Sequence, residues 1–158
     1  LPETRFYIET GRYAVGTAGT YVAKVVDKKV THGKNFVLLS ATLNGFARPS
    51  MVAMLEHFMG NGPIAAWEPI YTGDHSFQMI PLVETAERET VTVTGNLCTG
   101  TDLVLSDADM PKMEVGDTVV FPNAGSTAAL QYRMQFASQP KPAQLFLRVD
   151  GTVVNTDF

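Results

Sequence analysis

Apolar positions along this chain recur mostly in short β-rich runs and seldom at helical spacing. Glu89 to Val93 reads Glu-Thr-Val-Thr-Val, the period-two alternation of a half-buried strand. Tyr21 to Val30 is rich in Val, and Asn35 to Leu39 is mostly apolar. The His32-Gly33-Lys34 break between them predicts a hairpin. Phe6 to Ile8, Leu103 to Leu105, Thr118 to Phe121 and Leu145 to Val149 are further predicted strands, and Asp150-Gly151 predicts a tight turn into Thr152-Val153-Val154. Two stretches carry helical spacing. Pro49 to Phe58 has a proline near its start and Val52, Leu55 and Phe58 on one face. Ser126 to Met134 is rich in Ala, Leu and Gln behind an N-capping serine. Many short strands and few helices predict a mainly β fold, a barrel or sandwich.

Composition narrows the function classes. The chain has 158 residues, enough for one domain with a real core. With 45% apolar and 18% charged residues it is not a disordered segment. A formal net charge of -4 with scattered Lys and Arg leaves no electrostatic footprint for nucleic acid or an anionic membrane, and no apolar run is long enough to span a bilayer. These features point to a cytoplasmic protein with no nucleic-acid or membrane partner. The single cysteine, Cys98, excludes an internal disulfide and a Cys-rich zinc site. His32, His57 and His75 lack metal-ligand spacing, so no metal site is expected.

Four clusters could carry chemistry, and each has a plainer reading. Glu9-Thr10-Gly11-Arg12 places an acid and a guanidinium three residues apart after a predicted strand, where both can face one ligand; a solvated surface turn explains the same residues. Asn123-Ala124-Gly125-Ser126-Thr127 precedes a predicted helix whose free N–H groups suit an anion, or are simply capped. Arg48 lies at a strand-to-helix junction and suits a bidentate grip on carboxylate, or is a surface arginine. Asn96 to Asp102 gathers a thiol, two hydroxyls and a carboxylate in a glycine-containing loop. A lone cysteine is otherwise a small buried apolar residue.

The order of these clusters is more specific than any one of them. Glu9-Thr10-Gly11-Arg12-Tyr13, Gly33-Lys34-Asn35-Phe36-Val37, Asn44 through Arg48-Pro49, Gly95-Asn96-Leu97-Cys98, Asp102, Glu114-Val115-Gly116-Asp117, Asn123-Ala124-Gly125 and Pro140-Lys141-Pro142-Ala143 follow one another along nearly the whole chain. In that order the sequence resembles the C-terminal β-domain of the fold-type III pyridoxal-phosphate decarboxylases, the group of ornithine and diaminopimelate decarboxylases. The resemblance implies that residues 1–12 end with the last strand of an N-terminal (β/α) barrel, and that 13–158 form the C-terminal β-domain. It further implies a lysine-bound pyridoxal 5'-phosphate in the intact enzyme, a homodimer with shared active sites, and a small-molecule amino-acid substrate. The lysine belongs to the barrel, so the chain is expected to be a fragment or one part of a split enzyme, inactive alone.

Site roles follow from the resemblance residue by residue. Glu9 matches the acid that pairs with the pyridinium nitrogen and keeps the ring an electron sink. Arg12 matches an arginine that contacts cofactor phosphate or substrate carboxylate. Arg48 matches the arginine that holds a distal substrate carboxylate. Cys98 matches the cysteine that reaches the neighbouring subunit's site and governs protonation. Thr99 stands where the family's acid grips a distal amine, and a neutral hydroxyl cannot replace that charge-assisted bond. Thr127 stands at the tyrosine near the cofactor phosphate; Thr10, Ser40 and Val52 are further departures. The substrate implied is a modified or carboxylate-bearing amino-acid derivative, including a carrier-protein-bound one. The alternative reading is a non-catalytic homologue that keeps the fold as a binding or assembly module. Retention of Glu9, Arg12, Arg48 and Cys98 weighs for the enzyme.

Overall fold

The computed structural model describes residues 3–40, 42–52, 78–126 and 136–156. After a segment outside any strand or helix, Gly11–Val15 form α1 and Gly16–Ala18 a 3-10 turn. Among the described residues eight strands follow: β1 (Tyr21–Thr31), β2 (Lys34–Leu39), β3 (Ile80–Pro81), β4 (Arg88–Thr94), β5 (Leu103–Pro111), β6 (Thr118–Phe121), β7 (Leu145–Leu147) and β8 (Val153–Asn155). The first six form one curled, barrel-like sheet in the order β3-β6-β1-β2-β4-β5, and β7 and β8 pair with each other alone.

The expected β1–β2 hairpin is present. His32 and Gly33 both take positive φ (50° and 73°), and Thr31 pairs with Lys34, as a two-residue turn matched to strand twist requires. β1 serves two neighbours at different points. Tyr21 to Lys24 pair with β6 on one side, and Val25 to Thr31 pair with β2 on the other across a register shift at Val25/Asp27. β2 and β4 are parallel, with Asn35 opposite Val91 and Leu38 opposite Thr94. A parallel pair needs a long crossover. Here it is the stretch from Ser40 to Glu87, which carries Arg48.

Alternating strand positions build the core. Ala23, Val25, Val37, Leu39, Val91, Val93, Val104, Val119 and Phe121 face inward and are buried. Each fully buried valine, leucine or phenylalanine of this kind contributes about 1.5–3 kcal/mol. Thr92 shares the buried stretch of β4 because its hydroxyl accepts the Asp107 N–H at 3.3 Å. At one end Tyr21, Phe46 and Phe121 form a tilted aromatic cluster with ring centroids 5.6–5.9 Å apart. Burial pushes the Tyr21 phenol above its ordinary 10.0, and the charge of Asp102 adds to the shift.

Several expectations are corrected in detail. Phe6 to Ile8 form no strand: the segment pairs with no neighbouring strand among the described residues, and these residues are 82–90% exposed. A β-rich run needs a neighbouring strand before it becomes one. α1 occupies what reads as a surface turn after Glu9. β5 runs on to Pro111, well beyond Leu105, because pairing with β4 overrides the weak propensity of its Asp residues. The short β3 carries no sequence signal beyond Ile80. Residues 48–52 are helical, as expected for the start of the first predicted helix. Residues 53–58, and 127–134 of the second, lie outside the described residues.

Two stability predictions follow from this packing. A Cβ at Gly125 would overlap the Val15 carbonyl oxygen, whereas one at Gly100 meets nothing within 4 Å. Gly125→Ala is therefore expected to lower unfolding stability by about 1–3 kcal/mol in chemical denaturation, and Gly100→Ala by under about 0.5 kcal/mol. For Tyr21 the folded state holds its proton more tightly than the unfolded chain, so the stability it lends is complete below the unfolded value near 10.0 and is lost as pH rises beyond it. Unfolding free energy measured against pH should fall more gently above that point in Tyr21→Phe than in the parent.

Candidate active site

The segment around α1 is fixed against the segment after β6 by backbone contact. Ala124 N–H donates to the Gly19 carbonyl and Gly125 N–H to the Gly16 carbonyl, each at 2.9 Å. A side chain on Gly19 or Gly125 would overlap the facing backbone, so glycine at both places lets the two loops meet. The Ala124 and Gly125 N–H groups are therefore committed to carbonyls, while residues 127–134, the predicted helix whose N–H groups were expected to suit an anion, lie outside the described residues. The segment is also no simple helix cap: Asn123 and Ser126 hold positive φ of 59° and 72°. Such conformations in non-glycine residues concentrate at functional sites.

Arg12, half-buried on α1, donates from Nη1 to the Asn123 carbonyl at 3.3 Å. A Cβ on the neighbouring Gly11 would lie 3.7 Å from the Ser126 hydroxyl. Glu9 precedes α1 and is exposed. The structure thus brings Arg12 onto the 123–126 segment, 111 residues away in sequence. Beside this contact lies a cleft of about 370 Å³, lined among others by Val15, Gly19, Tyr21, Phe46, Gly125 and Ser126 but by neither Glu9 nor Arg12. Thr127 lies outside the described residues.

Arg48 is not a surface arginine. It is 7% exposed, and its Nε and Nη1 have no hydrogen-bond partner among the described residues. The nearby Ser50 hydroxyl is buried in the same condition. A buried guanidinium with unfilled donors is a costly arrangement unless an acceptor is supplied. The turn before it is tight: Gly45 N–H and Phe46 N–H both donate to the Thr42 carbonyl, at 2.9 and 2.6 Å, and Asn44 holds Phe136 through two side-chain bonds of 2.9 and 3.2 Å.

Cys98 departs from its plainer reading in the opposite direction, because its thiol is exposed and not buried. Thr99 beside it shares a 2.9 Å hydrogen bond with the Thr101 hydroxyl. Sequence reasoning gave Asp102 a place in this cluster but no part in the site. In the structure it is 1% exposed, and its carboxylate takes three donors: Oδ1 accepts the Thr42 hydroxyl and the Leu43 N–H (3.0 Å), and Oδ2 accepts the Leu97 N–H (3.1 Å). The signal available in sequence is an acid lodged between a glycine-containing loop and an apolar strand. The Cys98 loop is in this way joined to the segment that leads to Arg48.

Comparison with known proteins identifies the family and the fold. Residues 12–125 match the family described as pyridoxal-dependent decarboxylase, C-terminal sheet domain. The chain is 28% identical over 151 residues to the L-glutamyl acyl-carrier-protein decarboxylase of Niallia circulans, covering 94% of this chain and 32% of that protein. It is 28% identical over 139 residues to the diaminopimelate decarboxylase of Helicobacter pylori, covering 88% and 29%. The crystal structure of the Helicobacter pylori diaminopimelate decarboxylase complexed with L-lysine superposes with a TM-score of 0.67 at 25% identity, over 91% of this chain and 30% of that one. The chain thus spans about a third of the length of the curated relatives it matches. With most of its length matched and the same fold in a solved relative, the chain belongs to the pyridoxal-dependent decarboxylases, as their C-terminal sheet domain.

Proposed function

We propose that this chain is the C-terminal part of a pyridoxal-phosphate-dependent decarboxylase acting on a modified or carboxylate-bearing amino-acid derivative. The observation that supports the reading most is the meeting of Arg12 with the 123–126 segment through Arg12 Nη1 and the Asn123 carbonyl. The donor set there fits the cofactor: an exposed carboxylate suits a protonated pyridine nitrogen, and a guanidinium with a neighbouring serine hydroxyl suits a phosphate. Glu9 and Arg12 would hold it, with Thr127 taking a place near the phosphate. When bound, the cofactor supplies the electron sink that lets CO2 leave an amino acid.

The remaining roles belong to the chain's own side chains. Arg48 presents buried, unfilled donors to a substrate carboxylate. Thr99 offers a hydroxyl where a distal amine would require an acid, and so favours a substrate without that amine. Cys98, exposed on its loop, would deliver a proton from Sγ to the substrate carbon left by CO2 in the site of a second subunit. That role requires a homodimer with shared sites. Phe6, Tyr7, Ile8 and Tyr13, all at least 82% exposed, support a partner surface for the cofactor-binding barrel, with residues 1–12 as the end of that barrel and 13–158 as the sheet domain. The same reading places the enzyme in the cytoplasm. Among the described residues no helix is long and apolar enough to cross a membrane.

The full-length protein tests this directly. It should show the visible band of lysine-bound pyridoxal phosphate, bleached by borohydride, and release CO2 from candidate amino-acid derivatives. Absence of the band after adding pyridoxal phosphate would leave a binding or assembly module. Given the band, Glu9→Gln should lower turnover far more than cofactor affinity; unchanged turnover removes Glu9 from the reaction. Cys98→Ala should raise the share of aldehyde and aminated cofactor among the products. A constant product ratio removes Cys98 from protonation.

A further inference from the structure

We infer that Asp102 is a positioning residue that sets the Cys98 loop and the Arg48 segment as one unit, an inference that rests on the roles proposed above for those two residues. A carboxylate 1% exposed is tolerated only when its lone pairs are filled. Here three donors from two separate loops surround it, none of them a lysine or an arginine. Thr42 and Leu43 belong to the turn that leads within six residues to Arg48. Leu97 is the residue before Cys98, and the loop is closed behind it by Gly95 N–H on the Asp102 carbonyl (2.8 Å) and Asp102 N–H on the Thr99 carbonyl (3.2 Å).

Gly95 makes room for this arrangement. A Cβ there would overlap both the Asp102 carboxylate and the Thr42 hydroxyl. The one carboxylate is therefore enclosed by the two loops it connects. If one oxygen loses its donors, the carboxylate is free to rotate, and the bond on its other oxygen weakens with it. Displacement of the Arg48 segment is in this way transmitted to Cys98, and the reverse. A group that filled only a core void would have no such effect across the two loops.

Labelling the full-length protein at the two residues measures this coupling without requiring substrate. Cys98 would be alkylated with iodoacetamide and Arg48 modified with phenylglyoxal, each rate followed by peptide mass spectrometry. Thr42→Val removes one donor on the Arg48 side and leaves Cys98 and its loop unaltered in sequence. It is expected to speed Cys98 alkylation about tenfold, the scale of losing one charge-assisted hydrogen bond, and Thr42→Ser to restore the parental rate. Asp102→Asn, which sets an N–H2 against one of the backbone N–H donors, should speed both reactions. Amide exchange at Val93 and Val104 serves as the control for general loosening. Parental labelling rates in Thr42→Val overturn the inference, as does acceleration accompanied by equal loss of protection at Val93 and Val104. If Asp102→Asn does not fold, Thr42→Val with its serine rescue decides alone. The cofactor band is a separate readout: coupled labelling without a band retains the joined loops and removes the decarboxylase reading, and a band without coupling does the opposite.

Discussion

The parallel pairing of β2 with β4 is the constraint on which the rest of the molecule depends. An antiparallel neighbour would have allowed a short turn after Leu39. A parallel one sends the chain away from the end of β2 and returns it at the start of β4. The ends of the two strands, Leu38 and Thr94, then lie side by side, and whatever follows each strand is brought to the same end of the sheet. The turn from Thr42 to Phe46 follows β2, and the loop from Gly95 to Asp102 follows β4. Their proximity is a result of topology, and the buried carboxylate of Asp102 is the local chemistry that makes it specific. The aromatic cluster of Tyr21, Phe46 and Phe121 anchors the same turn from the core side.

Most of the main sheet was legible in the sequence, because its strands carry two kinds of local signal. β4 reads as a period-two alternation, although Thr92 is buried along with Val91 and Val93, and β1–β2 is interrupted by His32-Gly33, where two positive φ values are needed. Where the local signal fades, tertiary pairing decides. β5 includes Ser106, Asp107 and Asp109, poor strand formers, and is held by β4 and by ion pairs such as Arg88–Asp109 at 2.9 Å. Phe6 to Ile8 shows the converse. Strong β propensity without a partner strand leaves the segment exposed to solvent. Propensity describes fit to a pleated surface, and that surface must be present.

The candidate site was legible mainly as an order of motifs. No single cluster distinguished a functional residue from a structural one, and two defaults proved inverted. Arg48 is buried where a surface arginine was the plainer reading, and Cys98 is exposed where a buried thiol was. Burial depends on the path of the chain after β2 for Arg48 and after β4 for Cys98, which spacing along the sequence does not encode. The 123–125 segment illustrates a finer limit. Its glycine reads as a loop for an anion, but the same absence of a side chain serves backbone-to-backbone contact with Gly16 and Gly19. Sequence identifies the glycine; only the fold identifies what approaches it.

Surface chemistry separates the edges of the main sheet from the segments outside it. The outer edge strand β5 bears Asp107, Asp109 and a terminal Pro111, and the other edge, β3, is two residues long; both features discourage pairing with a foreign strand. Exposed large apolar side chains gather elsewhere. Phe6, Tyr7, Ile8 and Tyr13 flank the Glu9–Arg12 corner, and Leu145, Phe146, Leu147 and Val153 lie on the small β7–β8 hairpin. A two-stranded hairpin is marginal in water by itself. A chain selected only for solubility would carry charge at those places, as it does along β5. The contrast supports a division of labour in which the edges are closed to association and the segments outside the sheet, the Glu9–Arg12 corner among them, are left for it. A cofactor site formed there between this sheet domain and a barrel would be shielded from water by the same apolar contacts that hold the two together.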